Sequence, residues 1–192
     1  MTHTPHIPIL RMGEAYQSLD VRDVVALGSG ETVATLSIAN AGLIHRDARH
    51  LDRARAALAG FSCEQLIARC AKAGESFMND RLPLGDDTQT PDDYIQQLSQ
   101  TSGLPHTLVR KNMGKLHDAL THMADILRGL TRGLPTSVID ERVGQVNGID
   151  VSFYPTTSAL GCVLPSNSPG VNALWLPSLV LKTPALLIFD KT

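Results

Sequence analysis

The sequence predicts an α/β chain: a β-hairpin, then a helical region, then a strand, loop, helix and strand in succession. Three observations carry that prediction. Two β-rich runs, 19–27 and 31–38, are joined by Gly28-Ser29-Gly30, a link of hairpin length. Leu116, Leu120, Met123, Leu127 and Leu130 step by four and three, which lays one apolar stripe along a helix. Finally, 159–164 and 185–189 are short apolar runs on either side of a polar Pro-bounded loop and a helical stretch. That last order is the βαβ pattern, whose crossover makes the two strands parallel. It sets the loop 165–170 at the carboxyl edge of the sheet, where ligands bind in open α/β folds.

In chain order, residues 1–12 read as an extended arm, because Pro5 and Pro8 oppose a helix. The hairpin follows. Gly28-x-Gly30 is not a dinucleotide fingerprint, since Val33 stands where the third glycine would be and no helix follows directly. Residues 44–59 are rich in Ala and Arg and predict a helix closing at Gly60. Ser62 is a predicted N-cap for a second helix. Residues 83–92 read as a loop by their Pro, Gly, Asp and Thr content. Thr90 as N-cap and Pro91 at the first helical position start a third helix to about Leu98. Gly103-Leu104-Pro105 breaks it, and 107–130 is the longest predicted helix. Gly133 and Pro135 end the helical region, and from Val138 the chain reads as β, with Asn147-Gly148 as a tight turn. The implied divisions are 1–40 (arm and hairpin), 41–135 (helical), 136–158 (β-ribbon) and 159–192 (the βαβ segment).

Composition excludes several classes. The 192 residues are 43% hydrophobic and 19% charged, an ordinary globular balance. A formal net charge of −2 gives no concentrated basic face for nucleic acid. No apolar run approaches the roughly 20 residues of a membrane span, and the start lacks the pattern of a secretory signal. Cys63, Cys70 and Cys162 are an odd number without framework spacing, so an oxidising compartment is disfavoured and the cytoplasm is the expectation. Cys63 and Cys70 share a helical face with Leu66, and Cys162 lies in an apolar strand, so all three read as packing residues rather than nucleophiles. His45/His50 and His117/His122 are each five apart, which rotates the second ring off the face of the first, and no metal site is expected.

The segment Pro165-Ser166-Asn167-Ser168-Pro169, set between a strand and a helix, resembles the Pro-x-Asn-x-Pro loop of the aldehyde dehydrogenase superfamily, including its acyl-CoA reductase branch. Read without its flanks, the loop is better explained as a simple turn, and the strand and helix around it reverse that preference. The resemblance implies that the Asn167 carboxamide donates to the oxygen of a substrate carbonyl, and that Val163, Leu164, Pro165 and Ser166 flank an NAD or NADP cofactor. Ser166 departs from the aromatic residue often found before the Asn, which leaves a roomier or more polar wall. The N-terminal hairpin matches weakly, and 142–157 corresponds to strands that contribute to subunit pairing. The family's Lys after the second strand would fall at or beside Asp190, where the chain reads Asp190-Lys191-Thr192. The family's cofactor turn, catalytic Glu and nucleophilic Cys lie beyond that point.

The expectation is therefore an N-terminal fragment of an NAD(P)-dependent aldehyde dehydrogenase or acyl-CoA reductase, cut by truncation, frameshift or gene break. Its substrate in the intact enzyme would be a small aldehyde or acyl thioester, with homo-oligomeric assembly and no nucleic acid or membrane partner. The fragment alone would be inactive and prone to self-association at its open sheet edge. The competing expectation is a non-catalytic helical protein-interaction domain built on 44–130.

Overall fold

A computed structural model of the chain describes residues 4–165 and 168–189. The predicted arm is extended only at its start. β1 (His6–Ile7) is followed by a small hairpin of β2 (Ile9–Arg11) and β3 (Glu14–Tyr16). Met12 and Gly13 both have positive φ, 51° and 87°, and make the tight reversal between them. The predicted main hairpin is present as β4 (Val21–Val25) and β5 (Thr32–Ser37), antiparallel with a bulge between Val24 and Val25. β1 adds to it in parallel, His6 opposite Thr35. The His6 ring fixes that addition by hydrogen-bonding Thr35 Oγ1 at 2.8 Å and Ser37 Oγ at 2.9 Å.

The helix predicted over 44–59 is two helices, α1 (Ala41–Ala48) and α2 (Leu51–Ala59). The break falls at Arg49-His50, with His50 at φ −112° and ψ 13°. No Gly or Pro marks it. Asp47 is held instead by Arg11 of the first hairpin, through bonds of 2.7 and 2.5 Å. The Arg11 guanidinium keeps that carboxyl below its ordinary range.

α3 (Cys63–Asn79) starts at Ser62 as predicted, in a capping box completed by Gln65. The predicted loop that follows contains a short hairpin, β6 (Leu82–Leu84) and β7 (Asp87–Gln89). A Cβ on Gly85, at the turn, would stand 1.7 Å from the His6 carbonyl oxygen, so only glycine permits this approach. The docking that forms the hairpin is thus a tertiary contact, reinforced by the His6 N–H on Asp86. α4 (Pro91–Ser102) carries the predicted Thr90 cap, runs four residues past Leu98 and ends at Gly103 with φ 74°.

The long helix predicted over 107–130 is also divided, into α5 (His106–Thr121) and α6 (Met123–Leu130). The Thr121 hydroxyl donates to the His117 carbonyl and the His122 ring meets the Asp118 carbonyl, so side chains compete with the backbone ladder at that point. Leu116, Leu120, Met123 and Leu127 remain buried across the division, but Leu130 is exposed. The β character expected from Val138 begins later. Val138 lies in α7 (Ser137–Glu141), which turns Val138 and Ile139 into the core against α3. Burying both β-branched side chains there outweighs their strand preference. β8 (Val143–Val146) and β9 (Ile149–Ser152) then pair around Asn147-Gly148, both at positive φ.

The predicted βαβ segment is present. β10 (Leu160–Leu164) and β11 (Ala185–Phe189) pair in parallel from Leu160/Ala185 to Leu164/Phe189. The single helical stretch predicted between the loop and the second apolar run is instead a 3-10 helix (Pro169–Leu174) followed by α8 (Leu176–Val180). Pro177 accounts for the division, because it has no N–H and its ring opposes the carbonyl four residues back. The main core joins α3, α5, α6, α7 and α8 through Cys63, Leu66, Leu120, Met123, Val138 and Val180. The βαβ segment is therefore continuous with the helical region. Among the described residues no helix is long and apolar enough to cross a membrane.

Candidate functional site

The parallel register decides where the candidate loop emerges. Leu164 ends β10 opposite Phe189 of β11, so Pro165 leaves the pair at its carboxyl edge. Of the predicted site residues, Ser166 and Asn167 lie outside the described residues. The others are separated by the strand alternation. Val163 is 71% exposed, whereas Leu164 is 5% exposed and belongs to the core. Pro165 is exposed.

The far side of the loop is braced. Ser168 is the N-cap of the 3-10 helix, its hydroxyl accepting the Gly170 N–H at 3.4 Å, and Pro169 is buried. Asn172 was not singled out from sequence, yet it ties this turn together. Its amide donates to the Pro169 carbonyl at 3.1 Å, and its carbonyl oxygen accepts the Trp175 indole N–H at 2.9 Å. The Asn-x-x-Trp spacing was the available signal, since residues three apart face each other on a helical turn. Gly170 sits against Asn112 of α5, which anchors the turn to the helical region.

The cysteines are where the sequence placed them. Cys63 is fully buried and Cys70 is 8% exposed, both in the main core. Burial, with Asp140 adding to it, pushes the Cys63 thiol up to about 11, and burial raises Cys70 as well. Neither is poised as a thiolate near neutral pH. Cys162 is half-buried in β10. His45 and His50 are exposed, and His117 pairs with Glu75 at 2.9 Å. Among the described residues no cluster of three or more His, Cys, Asp or Glu could hold a metal ion.

No protein-family model matches the sequence, and no curated protein matches it. Solved structures do match its fold. Proline utilization A from Bdellovibrio bacteriovorus is similar with a TM-score of 0.69 and 13% identity, over 96% of this chain and 18% of that one. A salicylaldehyde dehydrogenase from Pseudomonas putida G7 matches with a TM-score of 0.67 and 10% identity, over 98% and 36%. An NAD-dependent benzaldehyde dehydrogenase from Corynebacterium glutamicum matches with a TM-score of 0.63 and 12% identity, over 97% and 38%. The chain thus spans between 18 and 38% of the length of these three. Hairpin, split helices, β-ribbon and parallel pair together make the fold of part of an aldehyde dehydrogenase.

Proposed function

We propose that this chain is the N-terminal portion of an NAD(P)-dependent aldehyde dehydrogenase or acyl-CoA reductase, acting on a small aldehyde or acyl thioester in the cytoplasm. The observation that carries the reading is the parallel pairing of β10 with β11, which sends Pro165 out at the carboxyl edge. Asn167 follows two residues later, and in this reading its carboxamide N–H donates to the carbonyl oxygen as negative charge develops there. A donor of that kind contributes about 3–4 kcal/mol to lowering the barrier.

Val163 and Pro165 leave an open apolar surface at this edge, which fits the flat face of a cofactor ring. Together with Leu164 and Ser166 they would flank NAD or NADP, whose contribution is to accept or donate the hydride. Leu164 would act from beneath, by holding the strand in the core. The Asn172 bridge between Pro169 and Trp175 braces the turn that begins at Pro169. The buried Cys63 and Cys70 take no part in the chemistry, and the nucleophile belongs to a later segment of the enzyme. Homo-oligomeric assembly would use the β8–β9 ribbon, where Val143, Val146 and Ile149 are exposed.

The test has two arms. Sequencing the source DNA past the codon of Thr192 in three frames should reveal a continuation carrying a Cys and a Glu. In that longer enzyme, Asn167→Ala should lower kcat about 100- to 1,000-fold. Turnover of an aldehyde by residues 1–192 alone, or full kcat in the variant, would overturn the proposal.

A further inference from the structure

A cavity of about 250 Å³ lies toward the opposite, amino edge of the β10–β11 pair. Arg55 of α2, Arg142 at the end of α7 and Lys182 before β11 line it, and so do Thr156, Thr157 and Thr183. Among the described residues no carboxylate lines it. Asp140 neutralises one of the three cations, through its ion pair with Lys182. Arg55 gives one N–H to the Thr157 carbonyl, but its Nε is buried with no hydrogen-bond partner. The Arg142 side chain has no partner among the described residues.

A buried donor without an acceptor is costly, and a cationic one more so. The wall facing the core is apolar, formed by Ile139, Phe153 and Leu181, which weakens screening and strengthens attraction to an anion. The lining is thus rich in donors and poor in acceptors, with two cationic charges left uncompensated.

We infer that this cavity is an oxyanion site that takes a phosphate group, either free or as a monoester. A phosphate carries a charge of about −1.5 to −2 at neutral pH, close to the two uncompensated cations. Its several oxygens can accept from two guanidinium forks and from hydroxyls at once. A carboxylate brings one charge and two oxygens, and leaves one cation unmatched. The volume is also below the roughly 300 Å³ at which pockets begin to hold drug-sized ligands. This site is separate from the Asn167 loop.

Equilibrium dialysis of the 192-residue chain against radiolabelled inorganic phosphate tests it, since the readout tolerates self-association and requires no turnover. The expected result is saturable binding at one site per chain. Arg142→Gln should weaken it about tenfold, the loss of a charge-assisted hydrogen bond. Arg142 is exposed and its side chain has no partner among the described residues, so the variant should keep the fold. Lys72→Gln, which removes an exposed cation on α3 remote from the cavity, should leave the affinity unchanged. In a competition arm, glycerol phosphate should displace the label as free phosphate does, whereas acetate at equal concentration should not. Success of that arm assigns the site to the phosphate group from either source. Non-saturable uptake, equal displacement by acetate, or unchanged affinity in Arg142→Gln would overturn the inference. None of these outcomes bears on the dehydrogenase reading.

Discussion

Asp140 links three parts of the chain that are far apart in sequence, and removing it gives the sharpest test of how the fold is held. Its two carboxylate oxygens each lie 3.0 Å from the Cys63 N–H at the start of α3. One of them is also paired with Lys182, just before β11. The side chains are only 28% and 16% exposed, so the pair is not a surface ion pair of negligible worth. Losing a charge-assisted hydrogen bond costs about 1.5–3 kcal/mol. Removing an anion from a helix N-terminus costs roughly another 0.3–1 kcal/mol. Asp140→Ala should therefore destabilise the chain by about 3 kcal/mol, a large share of the 5–15 kcal/mol typical of a domain. Asp140→Asn keeps an acceptor for Cys63 and loses the charge, so its cost should be about half as large. Lys182→Met keeps the stem and removes the ammonium. A double-mutant cycle between Asp140→Ala and Lys182→Met should return a coupling of about 1 kcal/mol. Urea unfolding at low micromolar concentration, followed by circular dichroism, reads the parent and every variant. A coupling indistinguishable from zero, or Asp140→Ala within about 0.5 kcal/mol of the parent, would refute the reasoning.

Two further outcomes are expected. Ser178 is 8% exposed and its Oγ has no hydrogen-bond partner, so Ser178→Ala removes a buried unsatisfied hydroxyl. It should stabilise the chain by about 1 kcal/mol and raise Tm, and a lowered Tm would show that the hydroxyl is satisfied in solution. His117 is held above the ordinary histidine range by its hydrogen bond to Glu75, with Asp118 adding to the effect. A pKa raised on folding gives stability that is complete below the unfolded value of about 6.5 and is lost as pH rises through the folded value. Stability should thus decline as pH is raised above about 6.5, and His117→Gln should flatten that decline. Identical slopes in the two proteins would exclude the pair as its source.

The sequence by itself determined the elements whose information is local. Ser62 and Thr90 cap the helices they were expected to cap, because a short polar side chain beside a free N–H is a contact made within four residues. Asn147-Gly148 turns its hairpin because those residues accept positive φ. The parallel pair β10–β11 was legible from two apolar runs separated by a crossover. The Asn167 assignment rests on a loop resemblance alone, and Asn167 lies outside the described residues. What only the tertiary structure decided is where distant segments press on one another. The break at His50 accompanies the grip of Arg11 on Asp47, and the 82–89 hairpin exists where Gly85 meets the His6 backbone. Val138 is helical because α3 offers a core to bury it in. Arg55, Arg142 and Lys182 are 87 and 40 residues apart in sequence, so no local pattern could bring them to one cavity. Propensity acts over a few bonds; burial and charge act across space, and they set the breaks and the sites that the sequence left unmarked.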